Sequence, residues 1–268
     1  WFKCSSYEVD EMDPHARHAL EVAAEALVQV DKNTRSSMGV FTAAIQYDFG
    51  VRMTSCNLPR TLATALKLEG PTDHIDKACT SSHLALHQAR EAIQAGQCAA
   101  SLVVGTTIML QPAVGEGLLK AGILAPSGVC RPLDQRADGL VRGEACAAVV
   151  LTNLSSSSMM CVGRLLATVV TQNSSLLPLL SPDRNAQEEA IRVAHTGQTV
   201  EAMHIHGIGQ KVADLTELMV LKNTWAVKHT GRALMNHKAN FGHTVAAAGV
   251  LGLLTTIRAL QSHHVPAH

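Results

Sequence analysis

The sequence predicts an α/β fold, and three observations carry that reading. Short aliphatic runs alternate with segments of helical periodicity. Apolar residues make up 47% of the 268 residues and charged residues only 16%, which excludes an intrinsically disordered chain. Aromatics are 3%, so the core must be built from Ala, Val, Leu and Ile, which suit close packing of helices on sheets.

The elements follow in chain order. Met12-Asp13-Pro14 opens a helix over 15–30. Asp13 can cap it, and Pro14 suits the first helical position. Leu20, Ala23, Ala24, Leu27 and Val30 share one face. Residues 37–45, with Gly39-Val40-Phe41, read as a short buried strand. A helix over 60–68 is expected to end at Gly70-Pro71. His74-Ile75-Asp76-Lys77-Ala78 leads from a strand into Cys79. Residues 82–95 have helical periodicity through Leu84, Leu86, Ala89 and Ile93, with Gly96 as the stop. Residues 101–105 form a strand candidate, and 145–152 another whose unbroken apolar run predicts cover on both faces. The apolar helix over 244–260 should be buried. Four serines at 155–158 divide an N-terminal half, 1–154, from a C-terminal half, 155–268.

Charge excludes partners. Lys+Arg and Asp+Glu are both 22, and no basic block occurs, so the electrostatic footprint of a nucleic-acid binder is missing. The longest apolar run, 245–257, falls short of the roughly 20 residues that span a bilayer. No secretory signal follows Trp1, and a start at Trp rather than Met predicts an incomplete N-terminus. Seven scattered cysteines without a C-x-x-C pair argue against a zinc ribbon or a thioredoxin-like motif. They read as thiols in a reducing compartment, which points to the cytoplasm and leaves a plastid open.

Three clusters carry chemistry. Cys79, in Asp76-Lys77-Ala78-Cys79-Thr80-Ser81-Ser82, lies between a strand and a helix of small residues. A helix N-terminus favours the nucleophilic thiolate; the plainer alternative is a buried structural cysteine. His206-Gly207-Ile208-Gly209 reads as a loop whose backbone approaches something closely, with Asp214 and Glu217 downstream. Lys238-Ala239-Asn240-Phe241-Gly242-His243 puts a second histidine just before a helix. Two imidazoles so placed can donate hydrogen bonds to a developing oxyanion, or be no more than satisfied polar groups. His83 and His87, four apart, and His204 and His206, two apart, lack a completing ligand set, so no metal site is assigned.

Taken together, these stretches resemble the β-ketoacyl synthase family, more narrowly the ketosynthase domain of polyketide synthases and animal-type fatty acid synthases. Met12-Asp13-Pro14-His15-Ala16-Arg17 resembles the family's helix-opening Met-Asp-Pro-Gln-x-Arg. The Cys79 stretch resembles Asp-Thr-Ala-Cys-Ser-Ser-Ser. Arg131-Pro132-Leu133-Asp134 through Ala137-Asp138-Gly139-Leu140-Val141-Arg142-Gly143-Glu144 is similar to Phe-Asp-x-x-Ala-Asp-Gly-Tyr-Val-Arg-Gly-Glu. His206 through Glu217 fits His-Gly-Thr-Gly-Thr-x-x-Gly-Asp-Pro-x-Glu, and Lys238 to His243 resembles Lys-Ser-Asn-Ile-Gly-His.

The resemblance implies a thiolase-like layered αβαβα sandwich of two pseudo-equivalent halves, incomplete at its N- and C-terminal ends. In that setting 155–158 becomes a loop between halves of one domain, 1–268. It implies a transferase in which an acyl group moves from a carrier protein to Cys79. A malonyl-type thioester then loses carbon dioxide, and its enolate attacks the acyl-cysteine. His206 and His243 carry over as the oxyanion pair, Lys238 as the charged member of their network, and Glu217 as its partner. Lys238 and Glu217 are equally readable as a structural ion pair. No cofactor is bound; the substrate rides on the phosphopantetheine of an acyl carrier protein. A homodimer and other synthase domains are the implied partners.

Departures are also expected to matter. Ile208 and Gln210 replace the two threonines that resemble pantetheine contacts, and Lys77 replaces a threonine beside the nucleophile. The stretch between Gly50 and Pro71 is shorter than the family's. The family's first strand and its C-terminal Gly-rich strand, with an oxyanion-hole amide, find no counterpart. Two alternatives follow: a non-catalytic ketosynthase-like partner protein, and a thiolase-like acyltransferase on coenzyme A thioesters.

Overall fold

A computed structural model describes residues 12–45, 58–153, 161–178, 181–195, 197, 199–225 and 233–265. Cys4, Cys56 and the serines at 155–158 lie outside them. The elements are α1 Pro14–Ala26, α2 Lys32–Ser36, β1 Met38–Ala43, α3 Leu58–Leu66, β2 Thr72–Ile75, α4 Ser81–Gln94, β3 Ala100–Thr107 and α5 Pro112–Lys120. After them come β4 Ala145–Thr152, α6 Arg184–Ala194, β5 Ala202–His204, α7 Lys211–Thr224, β6 Ala233–Met235, α8 Lys238–Phe241 and α9 Ala248–Ser262. They form two compact units. The first gathers the described residues up to Val114 with those of Gly143–Cys161 and Thr244–Leu253; the second holds Gly115–Arg142, Val162–His243 and Leu254–His268.

The first unit is built on a sheet of order β2-β1-β3-β4. β1 pairs in parallel with β2 and β3, while β4 joins β3 antiparallel. Side chains alternate along each strand. Val40, Leu102 and Val104 point to the core shared with α1 and α3, among Ala19, Leu20, Ala23 and Leu62. The opposite face meets α4, where Ser101 Oγ donates to the Ala89 carbonyl. Every residue of β1 and β3 is buried. β4 was expected to be covered on both faces, but as the edge strand among the described residues it buries only Ala147 fully. Apolar composition does not reveal which strand lies at an edge.

The helix ends show which signals operate. Asp13 Oδ1 accepts the His15 N–H and Pro14 opens α1, as expected. His15 Nε2 accepts the Ile108 N–H, so its ring proton sits on Nδ1, facing Asp13. α1 stops at Ala26, short of the predicted 30, yet Leu27 and Val30 are still buried in the turn beyond it. Gly96 (φ +70°) closes α4: its N–H bonds Ile93 O and that of Gln97 bonds Ala92 O, a Schellman motif. α3 ends the same way, but at Lys67 (φ +58°) rather than at Gly70-Pro71. Gly70 serves packing instead, since a Cβ there would lie 2.5 Å from the Met38 carbonyl carbon.

The face of α4 differs from expectation. Ser81, Ser82, Ala85, Leu86, Ala89 and Ala92 are buried, whereas Leu84 and Ile93 are half-buried. Small side chains bring the helix close to its neighbours. Ser82 Oγ accepts the N–H groups of Gly249 and Val250 at the start of α9, and a Cβ on Gly249 would reach it at 2.8 Å. The C-terminal helix, expected over 244–260, begins with a 3₁₀ turn, Val245–Ala247. Ala246, Ala247, Ala248 and Val250 are buried, but Leu260 is exposed, so burial is confined mainly to its start. The stretch Val245–Ser262 reaches 18 residues of mean hydropathy 1.4. By length and composition it passes for a membrane span, longer than the run seen in sequence, but its buried opening turns are those of a core helix.

The second unit holds the parallel pair β5–β6, with His204 opposite Met235, and the helices α6 and α7, packed on each other. Asp183 caps α6 by accepting the N–H groups of Asn185 and Ala186.

Candidate active site

Cys79 sits in the first unit, in the 3₁₀ turn Ala78–Thr80 between β2 and α4. The turn is tight because Ala78 adopts φ +50°, a left-handed conformation costing a non-glycine residue roughly 1–2 kcal/mol. Ser81, fully buried, holds it: its hydroxyl accepts the Lys77 N–H at 2.8 Å and donates to Ala78 O at 2.7 Å. Thr80 Oγ1 donates to Lys77 O at 2.8 Å. The half-buried Cys79 therefore precedes the first turn of α4, at the end of the helix whose macrodipole favours a thiolate. Lys77 is exposed.

The second unit brings His206, His243, Lys238 and Glu217 together. The rings of His206 and His243 meet edge to face, centroids 5.4 Å apart and planes at 87°. His206 is exposed and His243 buried. Three groups grip the His206 peptide. Glu217 accepts the N–H of His206 at 2.6 Å and of Gly207 at 2.8 Å. Lys238, 2% exposed, donates from Nζ to the His206 carbonyl at 2.6 Å. Asn236 Nδ2 donates to the carbonyls of His206 and Gly207 at 3.3 and 2.8 Å.

Burial and charge set the ionisation of this cluster. Burial drives His243 down from 6.5 to about 3, helped by the positive charge of Lys238 and then by His237. Its ring is therefore neutral at physiological pH, with one N–H to donate. Burial raises the Glu217 carboxyl above its ordinary range, although the Gly207 and His206 N–H groups and the Lys238 charge pull the other way. Burial likewise pushes the Cys130 thiol up.

Asp214, 3% exposed, has a role that sequence did not suggest. Its Oδ1 accepts Ile208 N–H at 3.0 Å, and its Oδ2 accepts Leu133 N–H at 2.9 Å and Gly209 N–H at 3.2 Å. One carboxylate thus joins the loop after His206 to the segment around Leu133. The glycines meet the expectation of close approach: Gly139 N donates to Gly209 O at 3.0 Å, and a Cβ on Gly209 would lie 2.7 Å from Gly139 O. His243 N donates to Val141 O at 2.6 Å, so residues 131–142 support both histidines. Asn236 also escaped notice, because nothing in the sequence marks a residue at the end of β6 as a partner of His206.

Known proteins share this arrangement of sequence. The chain matches the family models for the β-ketoacyl synthase N-terminal domain over residues 1–157 and C-terminal domain over residues 163–268. It is 33% identical, over 99% of its length, to a phenolphthiocerol/phthiocerol polyketide synthase of Mycobacterium bovis. It is 31% identical, again over 99%, to the mellein synthase of Phaeosphaeria nodorum. It spans only 16% and 17% of those proteins. Among solved structures, the ketosynthase from module 6 of the bacillaene synthase of Bacillus subtilis 168 superposes with a TM-score of 0.94 at 26% identity. That match covers all of this chain and 52% of the ketosynthase, so the thiolase-like ketosynthase fold is shared and the chain spans about half of it. The chain belongs to the β-ketoacyl synthase family.

Proposed function

We propose that the chain is the ketosynthase domain of a polyketide-type synthase, catalysing decarboxylative Claisen condensation. The Cys79 thiolate attacks an acyl thioester; a new C–S bond forms and the carrier's thiolate leaves with the electron pair of the broken one. A malonyl-type thioester then loses carbon dioxide, and the electrons of the broken C–C bond form an enolate. His206 and His243 donate hydrogen bonds to its oxygen. The enolate carbon attacks the acyl carbonyl, and Cys79 leaves as thiolate. The product is a 3-ketoacyl thioester two carbons longer.

The observation that carries this reading is the neutral, buried His243 set edge to face against His206, beside Lys238. A neutral imidazole donates a hydrogen bond to an oxyanion without surrendering its proton, which suits an enolate that must stay nucleophilic. Lys238 and Glu217 act through the His206 peptide, one on its carbonyl and the other on its N–H. The substrate would arrive on the phosphopantetheine of an acyl carrier protein, with a homodimer and neighbouring synthase domains as partners. Family models over residues 1–157 and 163–268 support a division into halves 1–154 and 155–268, while the compact units interleave along the chain. Cys98, Cys130 and Cys146 are free thiols, in keeping with a cytoplasmic setting.

Two measurements test this. Intact mass after incubation with an acyl thioester should show one adduct on Cys79, absent from Cys79→Ser. Carbon dioxide release from a malonyl thioester should persist in Cys79→Gln and drop about 100- to 1,000-fold on adding His243→Ala. A chain that forms no adduct and releases no carbon dioxide is the non-catalytic partner favoured by Ile208, whose side chain offers no hydrogen bond to a pantetheine. Turnover of acetyl thioesters alone would mark thiolase chemistry.

A further inference from the structure

We propose that Asn236 is a positioning residue for decarboxylation, fixing the His206 backbone through its side-chain amide. The proposal rests on the condensing-enzyme reading above. Asn236 is 5% exposed. Its Nδ2 donates to two successive carbonyls, His206 O and Gly207 O, and its Oδ1 accepts the Lys238 N–H at 2.6 Å. Both kinds of amide hydrogen-bonding group are thus used at once.

The geometry explains why His206 needs this. Its ring is exposed, so burial does not fix it. Its peptide is held from two sides, by Glu217 on the N–H groups and by Asn236 and Lys238 on the carbonyls. Two adjacent carbonyls reach one amide only because Gly207 takes φ +36°. A Cβ on Gly207 would come 2.4 Å from Asn236 Nδ2, so the glycine and the amide are a matched pair. Through its Oδ1 the same side chain also fixes the backbone of Lys238, whose Nζ returns to the His206 carbonyl. The two loops are thus locked in one register. Misplacing a catalytic group by about 1 Å can cost about 100-fold in rate.

The test uses the full chain with Asn236→Asp, Asn236→Leu and Asn236→Ser. Asp keeps the shape, loses both donors and sets a charge against two carbonyl oxygens; Ser keeps one donor. Malonyl-thioester decarboxylation is measured in the Cys79→Gln background, and Cys79 acylation by intact mass in the Cys79 background. The expected result is a fall in decarboxylation kcat of about 10- to 100-fold for Asp and Leu. KM and the acylation rate should stay within about threefold, and Ser should recover part of the loss. Equal loss of decarboxylation and acylation, or no loss of either, overturns the proposal. Should Asp and Leu fail to fold, Ser alone decides by the same split. If the parent chain releases no carbon dioxide, the condensing reading has failed instead. The ¹⁵N ring shifts of His206 then decide: movement in Asp and Leu with recovery in Ser upholds the positioning role, and unchanged shifts reject it.

Discussion

The two units hold their chemical groups by different means. In the first, Cys79 is placed by regular structure: a strand, a left-handed turn and a helix whose buried face is Ser and Ala. Ser81 and Ser82 are the polar fasteners, and neither carries charge. In the second, the histidines ride on irregular loops, held by buried Asp214, Lys238 and Asn236 and half-buried Glu217, all bonded to backbone groups. Close packing needs small residues and tolerates any pH. A buried polar network tolerates loops, but leaves unpaired groups behind when one member goes.

The largest expected effect tests that contrast. Asp214→Ala strips the acceptor from three backbone N–H groups and should cost roughly 3–5 kcal/mol, read from the urea midpoint. The counterpart in the first unit is Gly249→Val, which drives a Cβ to 2.8 Å from Ser82 Oγ and the His83 ring. Overpacking of this kind costs about 1–3 kcal/mol. Should the glycine substitution prove the costlier, the second unit does not depend on its buried network as described.

Much of this contrast follows from what sequence can show. The Asp13-Pro14 cap, the Gly96 stop and the Cys79 turn are local: each partner lies within a few residues, so pattern reveals them. Lys67 in the left-handed stop escapes, since it is not the residue type that signals one. The edge position of β4 escapes because pairing partners lie dozens of residues away. In the second unit the residues themselves were visible, but their roles were not. His206 and Asn236 are 30 positions apart, and only folding shows that one amide serves two carbonyls. Glu217 was expected to pair with Lys238; its carboxylate feels the Lys238 charge and also accepts the His206 and Gly207 N–H groups, which sequence does not show.

A middle-sized effect concerns pH. His243 falls from 6.5 in the unfolded chain to about 3 when folded. Between those values the unfolded state binds a proton that the native state refuses. The resulting stability is full above pH 6.5 and is lost on acidification, by about 1.4 kcal/mol per pH unit. Glu217 acts in the opposite sense, because its raised pKa lets the folded state hold a proton more tightly. His74 of the first unit is also lowered, chiefly by burial, and adds to the His243 effect. Unfolding free energies from pH 7 to 4 should therefore fall less steeply in His243→Gln than in the parent, and more steeply in Glu217→Gln. A greater flattening in His74→Gln than in His243→Gln would place the acid sensitivity in the first unit and reverse the contrast.

The smallest effect lies at the turn itself. Ala78 is exposed and in the left-handed region, so substitution there changes backbone preference with little change in packing. Ala78→Gly removes a strain of about 1 kcal/mol but adds about 0.4–1 kcal/mol of unfolded-state entropy to be lost on folding. The two nearly cancel, and the denaturant midpoint should barely move. Ala78→Val adds a β-branched side chain to a conformation such residues avoid, and should destabilise by about 1 kcal/mol or more. Acylation of Cys79 gives the second readout. If the turn holds the sulfur in place through Ser81, the glycine variant should acylate at nearly the parent rate, because both Ser81 hydrogen bonds go to backbone atoms it retains. Slow acylation in a glycine variant of unchanged stability would mean that the left-handed strain, rather than the serine, fixes Cys79.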